Sequence, residues 1–176
     1  MTMPFERPSI QDSAEASSKL RERLFSGDLS PDDFLEALME IDQSTPSHDA
    51  AHATAVVLES PEVRARCVTG KEDIFGYANL LSLSRFHAGQ SEAMAGGDAL
   101  PEFEKSLAAA LEVEDPGYSE WQDYVRATVA YFRKDQLTLE RSLDVMPDGA
   151  NRRIIANLLQ GLKARGDIDY RADYRT

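Results

Sequence analysis

Forty consecutive residues, 24 to 63, contain no lysine or arginine, while nine acids fall among them: Asp28, Asp32, Asp33, Glu36, Glu40, Asp42, Asp49, Glu59 and Glu62. A surface of that sign repels nucleic acid and steers basic partners, so no nucleic-acid role is expected. The imbalance is local: of a net charge of −12, the first 148 residues hold −15, and the last 28 hold +3. Cysteine is nearly absent. Cys67 has no second thiol for an internal disulfide, and its place in the apolar rhythm of PEVRARCVTG suits a buried structural thiol better than a nucleophile. No apolar run approaches the roughly 20 residues of a membrane helix. The opening MTMPFERPSIQDSAEASS shows neither the basic nor the apolar region of a secretory leader. A cytoplasmic chain without a membrane partner is expected.

Strand signals are also missing, with no alternating β-branched stretch and no Asn-Gly hairpin turn. What is present is helical. At 42% hydrophobic and 28% charged, 176 residues suit one globular domain with a real core. A first helix is expected from a cap at Ser9 to a stop at Gly27. In SPDDFLEALMEID, Ser30 caps, Pro31 takes the first helical position, and Asp33 completes nearly a capping box. Phe34, Leu35, Leu38, Met39 and Ile41 share one side of that helix, opposite Asp33, Glu36 and Glu40. SHDAAHATAVVLES and PEVRARCVTG read as shorter helices. From Lys71 to Ala88, apolar residues surround the helix, as for a central element covered on several sides; GQSEAMAGGDAL then reads as a loop. Further helices are expected over LPEFEKSLAAALEVED, over 119–134 with Tyr124 and Tyr131 at its edge, and over 150–165 with Ile154, Ile155, Leu158, Leu159 and Leu162 together.

Two segments repeat. FEKSL at 103–107 matches LERSL at 139–143 position by position, and each precedes a proline (Pro116, Pro147) and another long helix. RFHAGQ, YFRKDQ and GLKARGD are expected as similar endings of the long helices. The alternation of long helix, tight turn and shorter helix is that of stacked helical hairpins. LERSLDVMPDGANRRIIANLLQGLKARGD in particular resembles the tetratricopeptide pattern over roughly residues 72–176. Glu140, Arg141, Ser142, Leu143 and Pro147 match the end of that family's second helix. Ala156 stands at a small position of the next, and Gly166-Asp167 at its close. No Trp or Tyr occupies the early place expected in the last helix, the stretch 135–140 is about a turn short, and Gly166-Asp167 comes late. The alternative is a non-repeating helical bundle. The resemblance implies a concave surface lined by Arg153, Asn157 and Gln160, with Tyr124 and Tyr131 at its edge. Arg153 and Asn157, one turn apart, resemble the carboxylate-holding pair of some such domains.

Catalytic motifs fail on spacing. TGKED lacks the earlier glycine of a phosphate loop, MAGGDA lacks a strand to feed it, and Gly-x-Ser-x-Gly and Glu-x-x-His are missing. HDAAH puts His48 and His52 on one helical face, where they would share a zinc; the more economical expectation is two solvated histidines on a first turn. The reading is an all-α chain, with irregular helices over 9–70 and tetratricopeptide-like hairpins over 71–176. Its expected role is non-catalytic binding of another protein or peptide, without cofactor, by an adaptor, chaperone or regulator; a homo-oligomer is compatible with this. An acidic, immunity-type inhibitor that covers a basic partner with Asp32, Asp33, Glu36 and Glu40 is the alternative. A small metal-dependent hydrolase built on His48 and His52 ranks third.

Overall fold

The computed structural model describes residues 13–44 and 48–174. Among them there are only helices: α1 Ser13–Ser26, α2 Pro31–Ser44, α3 His48–Leu58, α4 Pro61–Cys67 and α5 Ile74–Ala95. Then follow α6 Leu100–Ala110, α7 Ser119–Phe132, α8 Gln136–Val145, α9 Ala150–Arg165 and α10 Tyr170–Asp173. Two 3-10 turns, Lys71–Asp73 and Pro116–Tyr118, lead into α5 and α7. The chain is all-α. The expected cap at Ser9 lies outside the described residues.

Local chemistry sets the ends. Ser30 Oγ accepts the Asp33 amide at 3.2 Å and donates to its carboxylate at 2.7 Å, which starts α2 behind Pro31. Asp73 receives the amides of Thr69 and Gly70 at 2.8 and 3.0 Å and so fixes the turn before α5. On α2, Phe34, Leu38 and Ile41 are buried while Asp33, Glu36 and Glu40 are exposed.

The central helix α5 runs on to Ala95, through the segment expected as a loop. Gly89 is not a turn residue. A Cβ there would lie 3.0 Å from the Phe103 ring, so glycine lets α6 approach α5 closely. The loop shrinks to residues 96–99, opened by Gly96 at φ +80°. RFHAGQ is therefore mid-helix and not an ending. The long helices do end alike, but later for α5: Gly96, Lys134 and Gly166 each adopt positive φ, with an aspartate one or two residues on. FEKSL and LERSL share one burial pattern, with the first and fourth residues buried, the second and third exposed, and the fifth half-buried.

Two apolar clusters make the core. One joins α1–α4 to the first half of α5, from Tyr77 to Leu81, and to Ala109, Ala110 and Val113. The other joins Phe86 and Ala93 of α5 to Phe103 and the helices α7–α10. Between them α5 carries a polar layer of Ser82, Ser84 and Arg85, all buried. Ser106 Oγ donates to the Ser82 carbonyl at 2.7 Å, and Trp121 Nε1 donates to Ser82 Oγ at 2.9 Å.

Arg85 is 1% exposed. Its Nε donates to Glu59 Oε1 at 2.9 Å and its Nη1 to Glu102 Oε2 at 2.7 Å; Nη2 reaches the second Glu59 oxygen. Burial alone would weaken the charged form, but these hydrogen bonds raise the guanidinium pKa further. One fork thus ties the end of α3 and the start of α6 to the middle of α5.

The last helix was not expected, and it explains the tyrosines. Tyr131 Oη donates to Asp173 Oδ2 at 2.7 Å and accepts the Asp169 amide at 2.9 Å, gripping both ends of α10. Tyr170 of α10 lies against the rings of Phe103, Tyr131 and Phe132. Hence α7 is covered almost all round, and Tyr124 and Tyr131 belong to the core rather than to a surface edge.

Two outcomes check this packing. Arg85→Met leaves Glu102, only 13% exposed in its side chain, with Lys105 at 4.0 Å as its remaining ammonium partner and is expected to cost about 3 kcal/mol in urea unfolding, as for broken buried pairs. Adding Glu59→Gln and Glu102→Gln is expected to restore part of that loss. At Gly161 a Cβ would overlap the Asp173 carboxylate. Gly161→Ala is therefore expected to cost about 1–3 kcal/mol by overpacking and to expose the chain after Gly166 to limited proteolysis; unchanged cleavage would show that α10 is not held as described.

Candidate functional site

The acidic face expected on α2 is present. Asp32, Asp33, Glu36 and Glu40 are all exposed, and none forms an ion pair among the described residues. The helix faces inward through Phe34 and Leu38, so the carboxylates have no choice but to point outward. The nine acids of residues 24–63 do not act as one face, however. Glu59 is spent on Arg85, Glu62 lies 3.8 Å from Arg21, and Asp42 is buried against His87.

Leu35 of α2 comes within 3.8 Å of where a Cβ on Gly76 would lie, and Phe75, the neighbour of Gly76, lines a hollow of about 430 Å³. Glu72, Glu112, Glu114 and Asp115 line it with Lys71, Ile74, Phe75 and Val113. Phe75 is 46% exposed at its edge and packs edge-on against Tyr118 at 5.5 Å. Glu112 is bridged to Arg64, whereas Glu72 and Glu114 enter no ion pair among the described residues. An apolar ring set among carboxylates offers both an anchor and a charge field.

The groove residues fare differently. Asn157 and Gln160 line a hollow of about 230 Å³ with Gly161, Ala164, Arg165, Ala172 and Asp173. Its far wall is the chain's own α10, with Arg165 bound to Asp173. Arg153 is exposed one turn away and does not line it. Tyr124 and Tyr131, expected at the edge of a binding surface, are sealed: burial pushes both phenols up, helped at Tyr131 by the bond to Asp173. Neither is open to a partner.

His48 and His52 stack at 5.3 Å on the first turns of α3. They are not simply solvated. Arg85 Nη1 lies 3.2 Å from His52 Nδ1, and Glu102 Oε1 lies 3.8 Å from the same nitrogen. His48 faces Glu92 at 3.7 Å. Among the described residues no group of three His, Cys, Asp or Glu is placed to hold a metal. Cys67 is buried, and desolvation pushes its thiol up to about 11, which removes the thiolate a nucleophile needs.

Sequence reasoning missed Arg85 with Glu59 and Glu102, and the pair Asp42–His87. The available signal was a charged residue and a histidine inside a helix otherwise read as apolar on all sides. Among the described residues no helix is long and apolar enough to cross a membrane. No protein-family model, no curated protein and no solved structure matches this chain.

Proposed function

We propose that this chain is a non-catalytic protein-binding module whose partner is a basic, amphipathic segment docked along α2 and the Phe75 hollow. One observation carries the reading. Four outward carboxylates of α2 have no ion-pair partner among the described residues, and Leu35 of the same helix approaches Gly76, next to Phe75, which lines a hollow with Lys71, Glu72, Glu112, Glu114 and Asp115. Unpaired acids steer association and set partner sign, while affinity comes from an apolar anchor that loses water on binding. A lysine-bearing helix with one large apolar side chain meets both demands. This joins the acidic, partner-covering alternative to the binding-module reading. The groove on α9 supports a partner less well, because α10 already occupies its wall. The matching burial of 103–107 and 139–143 supports a degenerate, tetratricopeptide-like hairpin scaffold beneath the docking face.

The test uses a synthetic amphipathic helix with leucine anchors and flanking lysines as probe. Its association rate with the full chain is expected to fall at least about tenfold between low and physiological salt, with a smaller change in dissociation. In the variant Asp32→Asn, Glu36→Lys, Glu40→Lys, binding should slow to a similar extent while the unfolding midpoint stays put, since these side chains form no ion pair among the described residues. Asp33 is left in place because its carboxylate accepts from the hydroxyl of the capping Ser30. Phe75→Ala should raise the dissociation rate instead. If the triple variant binds like the parent while Arg153→Ala does not, the α9 surface is the docking site and the reading on α2 fails.

A further inference from the structure

The closing helix α10 is held as a ligand is held. It has four residues, where an isolated helix needs about a dozen to persist in water. Its own sequence contributes a cap, the Ala172 amide donating to Asp169 Oδ1 at 3.0 Å. The rest of the hold comes from elsewhere in the chain. Tyr170 is 3% exposed and lies among the rings of Phe103, Tyr131 and Phe132, at centroid distances of 6.1, 6.2 and 5.4 Å. Gln90 of α5 donates to its hydroxyl at 3.4 Å. Asp173, also buried, meets Arg165 and takes the space that a side chain at position 161 would fill. The cleft that receives α10 is thus built by α5, α6, α7 and α9, and is independent of the docking face proposed on α2.

Tyr131 measures the segment. Its hydroxyl accepts the Asp169 amide at 2.9 Å and donates to Asp173 Oδ2 at 2.7 Å. Residues four apart meet at one oxygen when the chain makes a helical turn between them, so an extended segment cannot satisfy both bonds. The cleft therefore reads a pattern: an aspartate that caps the turn, a tyrosine beside it, and a second aspartate three residues after the tyrosine. The two positions between are free to vary, since Arg171 is exposed and Ala172 half-buried. We propose that this cleft is a peptide-binding site for Asp-Tyr-x-x-Asp, filled in cis by residues 169–173 and open to the same pattern carried by another protein. The tether sets the balance. A short linker keeps the cis segment at an effective concentration of about millimolar order, so a segment in trans enters where it is abundant or binds more tightly. Because α10 has little helical stability outside the cleft, its displacement melts one turn and leaves the apolar clusters of the other helices standing.

The probe is a fluorescent peptide of residues 167–174, Asp-Ile-Asp-Tyr-Arg-Ala-Asp-Tyr, with a scrambled peptide of the same composition as control. Anisotropy is read on the full-length chain and on full-length Tyr170→Ala, which removes the ring of the cis segment and leaves every residue of the cleft in place. The peptide should bind the variant saturably and at least about tenfold more tightly than the parent, because competition from the cis segment is weakened. Changing Tyr170 of the peptide to alanine, or scrambling it, should abolish binding. Tyr131→Phe, added to the Tyr170→Ala chain, keeps the aromatic wall but loses the hydroxyl, and should weaken the peptide about tenfold. Should Tyr170→Ala lose its helical circular dichroism, Asp173→Asn takes its place, with the same order expected; it keeps the shape of α10 and removes the charge facing Arg165. Three results overturn the proposal: no saturable binding to the α10 variant, equal affinity for parent and variant, or equal binding of the scrambled peptide.

Discussion

A guanidinium sealed from water has to find acceptors along its whole edge, and Arg85 can find them only where α3 ends and α6 begins. Glu59 takes two of its nitrogens and Glu102 a third, with His52 Nδ1 3.2 Å from Nη1. Hydrophobic contacts tolerate small slides of one helix along another; a fork of this geometry does not. The position along α5 is what gives the constraint its reach. Leu81 still belongs to the first apolar cluster and Phe86 already to the second, so the polar layer from Ser82 to Arg85 is the seam between them. Trp121, packed against both clusters, donates into the same layer through Ser82. Setting the register of α3, α6 and α7 at this one level fixes how the acidic helix α2 and the closing helix α10 come to rest, since both lean on α5.

The all-α class and most helix bodies were legible because helical periodicity and caps are local. Ser30, Pro31 and Asp33 announce α2, and the apolar stripe of α9 is buried as its spacing requires. The errors came where local chemistry and tertiary packing compete. GQSEAMAGGDAL looks like a loop because glycine and small residues usually mark one, yet Gly89 is small so that Phe103 can sit against α5. Nothing within the segment distinguishes these uses of glycine; only the facing residue does. α10 escaped notice for a related reason: four residues carry no readable period. Its stability comes from Tyr131, Arg165 and the aromatic stack of Tyr170.

The same limit shaped the reading of the site. Exposure of charged residues on an amphipathic helix follows from periodicity, so Asp32, Asp33, Glu36 and Glu40 could be placed outward from sequence alone. Pairing across 45 residues, as between Asp42 and His87, leaves no local trace. Nor does the capture of Glu59 by Arg85, 26 residues on. The tyrosines of α7 were misplaced because an edge position on a helical wheel is exposed only if nothing else arrives to cover it, and α10 does.

This sorting of the acids separates two roles that composition merges. Carboxylates that meet a cation inside the chain, such as Glu59 and Glu102, are consumed by the fold, and their charge is largely cancelled at the surface. Those on α2 and around Phe75 remain to be read from outside, over a distance set by the Debye length of about 8 Å at physiological ionic strength. Asp42 belongs to neither group. It is too deep to steer an incoming protein, and its one internal partner is a histidine that balances its charge only when protonated. The excess of acid in residues 24–63 is therefore a composite: one part holds helices together, one part faces solvent on α2, and Asp42 is buried against His87.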